Sequence, residues 1–392
     1  MSHRTPTALA RCVGDPDRFL HEVWGQGPQH HPNPGGEGFD DLLTMRAVDR
    51  MVTSMGLRRP AFRLVKDGAP LPPDSYTRTT RTGTMAATGV AHPGRIFRHF
   101  REGATIVLQG MHRFWPPLTL FCRELELDLG HPTQVNAYIT PPGARGLAVH
   151  HDGHDVFVLQ AFGRKHWEVY EPGADGGPGP LAFTVELGPG DALYLPLGTP
   201  HAARTQDVLS GHLTVGILTT TWRQALRDVV TLLEADPALD ERIPGGLSGP
   251  PEALTGSVAG FLVDLEARIG KLDPEAVAVG LLRSFLTSRQ PLPAGGIEDM
   301  GAAEAMTEAS TLRRRRGSFC QPVVHVGRLL VFLGDRELAM PAWVEPAVRW
   351  IAERGDRPFR MRQLPGELDA GSRLVLCRRL VREGLLEVVG GG

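Results

Sequence analysis

The chain has 392 residues, enough for two or three domains. Apolar residues make up 41% and charged residues 22%, the balance of a soluble chain with real cores. A net charge of −2 gives no global case for nucleic acid or membrane, and nothing approaches the about 18 uninterrupted apolar residues of a membrane-crossing helix.

The first residues, MSHRTPTALARCVGDPDRF, hold no long apolar stretch, so no signal peptide is expected. Cys12, Cys122, Cys320 and Cys377 lie far apart without a CxxC pair and read as reduced thiols of a cytoplasmic protein. Arginine outnumbers lysine 39 to three; the lysines are Lys66, Lys165 and Lys271.

Residues 15–25 predict a short helix capped by Asp15 with Pro16 in its first turn. Residues 25–38 read as a loop in which His30–His31 is a weak metal candidate. Leu42, Leu43, Ala47 and Met51 space a helix over 39–52, and 61–66 reads as a strand. The Gly/Thr-rich stretch 67–90 reads as a loop. Residues 94–131 read helix, strand, helix. Strands follow at 133–140, 155–161, 165–170, within 182–206 and at 211–221, with a turn at PPGARG and a flexible loop at 171–180. Many short strands broken by Gly and Pro predict a β-barrel or jelly roll.

After Thr221 three amphipathic helices are expected. Leu254, Val258, Phe261, Leu262, Leu265 and Ile269 share one face of the second. Residues 290–301 read as a linker. Beyond it, a short strand at PVVHV, a helix from PAWVEP and a final helix running into a strand resemble a winged-helix unit. The run Arg313–Arg316 reads as a solvated helix end, with contact to RNA or an acidic partner as the functional alternative.

The chemistry concentrates between Asn136 and Tyr170. His150 and Asp152 form an HxD triplet, and at i and i+2 of an extended segment they project to one side. His201 follows the turn LGPGDALYLPLGTP. Two imidazoles and a carboxylate from separate β-segments are the ligand set of a mononuclear non-haem iron site, with positions left open for a keto acid and O2. Lys165, fifteen residues after His150, suits the distal carboxylate of a dicarboxylate co-substrate. Asn136 and Tyr138 alternate toward one face and can add neutral hydrogen bonds. His151 and His154 leave the ligand register open, and a zinc site or a structural carboxylate–imidazole hydrogen bond stays open as well.

NAYITPPGARG, HxD, DVFVLQ-x-x-GRKxW-x-VY and GDALYLPLGTPHAA together resemble the JmjC-type cupin family of ribosomal oxygenases and their bacterial relatives, best over 15–220. The resemblance implies a mostly β double-stranded β-helix (jelly-roll/cupin) catalytic domain over 1–221. It also implies an all-α dimerisation segment over 222–300 and a winged-helix-like α/β domain over 301–392. It implies Fe(II) on His150, Asp152 and His201, and 2-oxoglutarate on Lys165 supported by Asn136, with Tyr138 in the pocket. The expected activity is hydroxylation of a protein side chain, a histidine or arginine of a ribosomal protein, by a homodimer. The position between the ligands is often Tyr in this family and is His151 here, which leaves the substrate open. Two alternatives stand beside this: the same chemistry on a precursor peptide or small metabolite, and a non-enzymatic metal-binding regulator.

Overall fold

The computed structural model describes residues 7–144, 148–205, 207–243, 245, 248–292 and 294–389. By internal contacts the chain divides into two compact units, one ending at Thr219 and one beginning at Thr220.

The first unit opens with α1 (Ala8–Val13) and α2 (Pro16–Arg18), which continues into a π-helical turn at Phe19–Val23. Asp15 caps α2 by accepting from the Arg18 amide at 3.0 Å. Strand β1 (Gln29–His31) precedes α3 (Met45–Ser54). The helix expected from residue 39 starts only at Met45, because Thr44 is its cap and accepts from the Ala47 amide at 3.1 Å. Then come β2 (Phe62–Lys66) and β3 (Ala69–Pro70). Residues 77–91, expected as loop, instead form a hairpin of β4 (Thr77–Thr82) and β5 (Met85–Ala91). Their Thr and Ala content has the β-tolerance but not the apolar alternation that identifies a strand. Next are α4 (Pro93–Arg101), β6 (Thr105–Leu108), α5 (Pro116–Leu129) and β7 (Thr133–Thr140). The turn read after β7 lies partly outside the described residues.

The remaining strands of this unit are β8 (Asp155–Phe162), β9 (Lys165–Pro172), β10 (Pro178–Leu187), β11 (Ala192–Leu195), β12 (His201–Thr205) and β13 (Ser210–Ile217). Residues 171–180, read as a flexible loop, narrow to a turn between β9 and β10. An eight-stranded sheet runs β1-β11-β8-β13-β7-β6-β2-β3, and a three-stranded sheet runs β10-β9-β12. Val156, Val158, Leu193 and Leu195 of the first pack on Trp167, Val169 and Leu187 of the second. Phe157, Leu159, Val135, Ala137, Leu213 and Val215 pack on the other face against residues of α1, α3 and α5. Strand β8 is therefore buried on both sides, which accounts for its unbroken apolar run. Gly163 turns β8 into β9 with φ +66°; a Cβ there would meet the Leu209 carbonyl oxygen at 2.0 Å, so only glycine fits.

The second unit carries α6 (Trp222–Glu234), α7 (Glu252–Ile269), α8 (Pro274–Thr287) and α9 (Gly296–Ala305). Helix α9 occupies the second half of the stretch 290–301 expected as a linker. Strand β14 (Thr311–Arg314) pairs with β18 (Phe359–Arg360) and β19 (Leu386–Val388). Strands β15 (Gln321–His325), β16 (Arg328–Phe332) and β17 (Glu337–Pro341) form a meander. Helices α10 (Glu345–Arg354) and α11 (Ala370–Arg382) complete the unit.

The arginine run is not a solvated helix end. Arg313 and Arg314 belong to β14, Arg313 donates to Glu387 at 2.7 Å and Arg314 to the Ala352 carbonyl at 2.8 Å. Arg315 is buried and pairs with Asp299 and Glu387. The guanidinium groups of Arg313, Arg314 and Arg315 are thus engaged inside the unit.

Candidate metal centre

Between the two sheets of the first unit lies a cavity of about 560 Å³ counting its open mouth. Its position follows from strand alternation. Strands β7 and β13 turn Val135, Ala137, Leu213 and Val215 to the helices, so Tyr138, Thr140, His212 and Thr214 face inward. On β9 and β12 the pair Trp167↔Ala203 shares the face of His201↔Val169, and Lys165 stands two residues before Trp167 on that face.

His150, Asp152 and His201 meet at this cavity. Each offers a ligand atom, and the three atoms lie within 4.8 Å of one another. The two histidines are joined as backbone neighbours: the His150 amide donates to the His201 carbonyl at 3.1 Å, and the His201 amide to the His150 carbonyl at 2.8 Å. The Gly198 amide donates to the Asp152 carbonyl at 3.1 Å, tying the triplet to the turn that precedes His201. Asp155 anchors that turn, accepting from the Leu197 amide at 2.7 Å and from Thr219 Oγ1 at 2.9 Å.

The imidazole tautomers follow from their neighbours. His150 Nδ1 lies 2.8 Å from the Ala148 carbonyl oxygen, and His201 Nδ1 lies 2.9 Å from that of Thr199. A carbonyl oxygen only accepts, so both Nδ1 atoms carry hydrogen and both Nε2 lone pairs are free. His201 Nε2 stands 3.8 Å from Asp152 Oδ2. Burial lowers the His201 pKa, with His150 adding to the effect, so its imidazole is neutral and ready to ligate. Two imidazoles that present Nε2 and one carboxylate fit a divalent metal held on one face.

The neighbouring histidines stand apart from this cluster. His151 is exposed. His154 packs over Gly216, where a Cβ would meet its ring at 2.6 Å, and its Nδ1 lies 3.1 Å from the Asp155 carbonyl oxygen. Neither joins the three-residue cluster. His30 and His31 lie on β1, with His30 Nε2 3.8 Å from Asp191.

Lys165 is 2% exposed, and burial lowers its pKa from 10.5 to about 7. Its Nζ donates to Thr140 Oγ1 at 3.1 Å and stands 3.3 Å from His212 Nδ1. Burial holds His212 neutral, and the adjacent Lys165 charge acts in the same direction. Trp167 connects the two halves of the cavity, its ring 5.9 Å from His201 and 5.2 Å from His212. Tyr138 stacks on His212 with centroids 5.1 Å apart. Burial raises the Tyr138 pKa, opposed by the Arg63 guanidinium beside it.

Asn136 does not stand among the cavity walls. It is half-buried, and its Oδ1 accepts from the Gly110 amide at 2.9 Å, an engagement that occupies the side-chain carbonyl. Four polar wall residues carry no mark in the sequence: Thr105, Thr140, His212 and Thr214. The period-2 pattern of HLTVGI was the available signal, since it places His212 and Thr214 opposite Leu213 and Val215.

Residues 113–225 match the JmjC domain family. This stretch of the chain is similar to a JmjC domain. That domain contains the whole ligand cluster and Lys165. Among curated relatives, the bifunctional lysine-specific demethylase and histidyl-hydroxylase NO66 of Dictyostelium discoideum is 29% identical over 54% of this chain and 43% of its own length. Ribosomal oxygenase 2 of Bos taurus is 34% identical over 49% of this chain and 46% of its own length. The chain thus spans less than half the length of these two relatives. The Escherichia coli ribosomal oxygenase YcfD superposes over 96% of this chain and 98% of its own, with a TM-score of 0.59 at 18% identity. Another YcfD structure, solved with cobalt and 2-oxoglutarate, gives a TM-score of 0.56 at 17% identity. At these identities the likeness establishes the fold, a JmjC cupin.

Proposed function

We propose that this protein is an Fe(II)- and 2-oxoglutarate-dependent dioxygenase that hydroxylates a histidine or arginine side chain of a ribosomal protein. The observation that carries the reading is one cavity with His150, Asp152 and His201 on its wall and a buried Lys165 beyond Trp167. His150 Nε2, His201 Nε2 and an Asp152 oxygen would hold the metal. Iron with 2-oxoglutarate would supply the oxidising chemistry, coupling decarboxylation of the keto acid to insertion of oxygen from O2 into a C–H bond.

The chain's own residues would do the rest. The Ala148 and Thr199 carbonyls keep both imidazoles in the ligating tautomer and fix their orientation. Lys165 would bind the distal carboxylate, with Thr140 and His212 aiming its Nζ. Val65, Val107, Val156 and Val158 line the same cavity and exclude water. Tyr138, beside Arg63, would form part of the pocket. Asn136 would support it indirectly, by holding the Gly110 backbone against β7. His151, exposed between two candidate ligands, would meet the substrate.

The polypeptide substrate is supported by the names of the relatives: a histidyl-hydroxylase and ribosomal oxygenases. The proposal extends to a homodimer formed through the helical segment 222–300, because α7 buries none of its residues within the chain. It also takes 301–392 as a winged-helix-like module that helps recruit substrate. A cytoplasmic location is supported by four buried, unpaired cysteines.

The test is succinate formation from 2-oxoglutarate with Fe(II) and ribosomal proteins, followed by mass spectrometry of those proteins. Stimulated turnover and the gain of one oxygen atom on a histidine or arginine are expected. Absence of stimulation by every ribosomal protein would overturn the substrate assignment.

A further inference from the structure

The chain's net charge of −2 conceals an uneven distribution. From residue 44 to residue 102 there are eleven arginines and lysines against four acidic residues, a local net charge of +7. This excess lies within the first unit.

An open cleft beside the β4–β5 hairpin gathers part of this charge. Arg58, Arg59, Arg78 and Arg95 stand in its walls, and all four are exposed. The backbone fixes two of them: Arg58 Nε donates to the Thr88 carbonyl at 2.7 Å, and Arg95 donates to the Thr77 carbonyl at 2.9 Å. Carbonyls orient these guanidinium groups without neutralising them. The Arg59 and Arg78 side chains have no hydrogen-bond or ion-pair partner among the described residues. Asp74 is the one acid in the walls, so the cleft carries four positive charges against one negative.

We propose that this cleft binds the phosphate backbone of single-stranded RNA. Guanidinium forks pair with phosphate oxygens, and the Thr79 and Thr88 hydroxyls beside them offer partners to a 2′-hydroxyl. Its walls include no aromatic or aliphatic anchor of the kind that centres a protein interface. The cleft spans about 1160 Å³ counting its mouth, and Arg98 continues the basic face one turn beyond Arg95 on α4, which favours a polyanion over a single phosphate. The cleft shares no wall residue with the metal-centre cavity, and the inference does not rest on the oxygenase reading.

The test is fluorescence anisotropy of a labelled single-stranded RNA of about 16 nucleotides, titrated with the full chain between about 50 and about 200 mM salt. Wild type is expected to bind with a steep salt dependence. Arg59→Gln with Arg78→Gln should weaken binding about tenfold at the lower salt and reduce the log–log salt slope by about 1.4, the release of counterions from two single-strand phosphates. A control losing the same charge in the second unit, Arg328→Gln with Arg362→Gln, should leave affinity and slope as in wild type. Circular dichroism of both variants should match wild type, since all four side chains are exposed. The proposal is overturned by no RNA binding in wild type, or by equal losses in the two double variants. Equally effective competition by polyglutamate, indicating an acidic protein partner, or by DNA of the same sequence also overturns it.

Discussion

Lys165 is the side chain whose charge depends most on what the cavity holds. Folded and empty of ligand, it titrates at about 7, because burial disfavours the ammonium. Unfolded, it titrates near 10.5. Between those values the unfolded chain binds a proton that the folded chain does not, so stability rises with pH from about 7 to 10.5 and is level below. Lys165→Met should remove that slope in denaturant titrations across the range. A dicarboxylate needs the ammonium, so its apparent Kd should rise about tenfold per pH unit above 7 and lose this dependence in Lys165→Met. A pH-independent Kd in wild type would remove Lys165 from the co-substrate site. The candidate site residues were singled out in the sequence because HxD, the lysine and the histidine after a Gly-Pro turn each carry a chemical reason, and the fold brings His150, Asp152 and His201 within reach of one another. His212 was not: it looks like any residue of an apolar strand until Lys165 from another sheet is seen against it. Asn136 was legible only as a polar residue on the right face; its bond to Gly110 depends on a loop 26 residues away.

At the scale of elements, the metal centre depends on the turn between β11 and β12 as much as on the ligands. Asp155, at the start of β8, receives the Leu197 amide, the Thr219 hydroxyl and, at 3.4 Å, the Tyr194 hydroxyl. Removing it leaves buried donors unpaired, at about 1–3 kcal/mol each by ordinary desolvation costs. Asp155→Ala should therefore lower unfolding stability and weaken metal affinity about ten- to hundredfold, as supporting residues around metal ligands do. Unchanged metal affinity in a folded Asp155→Ala protein would show that the turn holds His201 without it. The strands around this turn could be read from pattern because they alternate or are continuously apolar. The β4–β5 hairpin could not. Arg78, Thr79, Arg81 and Thr88 face solvent on a two-stranded ribbon, and Thr77 and Ala91 are buried at its base, so no core imposes a period along it. The start of α3 was misplaced for a related reason: Leu42 and Leu43 are buried, but by the turn before the helix rather than by the helix.

For the molecule as a whole, α7 presents apolar surface that the chain itself does not cover. Val258, Phe261, Leu262 and Val263 are 51%, 49%, 56% and 68% exposed, and the helix buries none of its residues. Exposed apolar surface of this kind is what the proposed dimer would cover. Phe261→Glu with Leu262→Glu should convert the proposed dimer to a monomer in sedimentation velocity while leaving the first unit folded. A wild-type chain that sediments as a monomer would contradict the dimer. The amphipathic spacing of this helix was visible in the sequence, but periodicity cannot tell a face that meets its own core from one that meets a second chain.

The central claim is that His150, Asp152 and His201 hold iron and that Lys165 retains 2-oxoglutarate beside it. Anaerobic equilibrium dialysis of the full chain with Fe(II) and 2-oxoglutarate tests both parts at once. The account predicts one iron and one 2-oxoglutarate per chain. Both should be lost in Asp152→Ala, and Lys165→Met should retain iron but lose 2-oxoglutarate. Iron bound equally by wild type and Asp152→Ala, or 2-oxoglutarate retained in Lys165→Met, would contradict it.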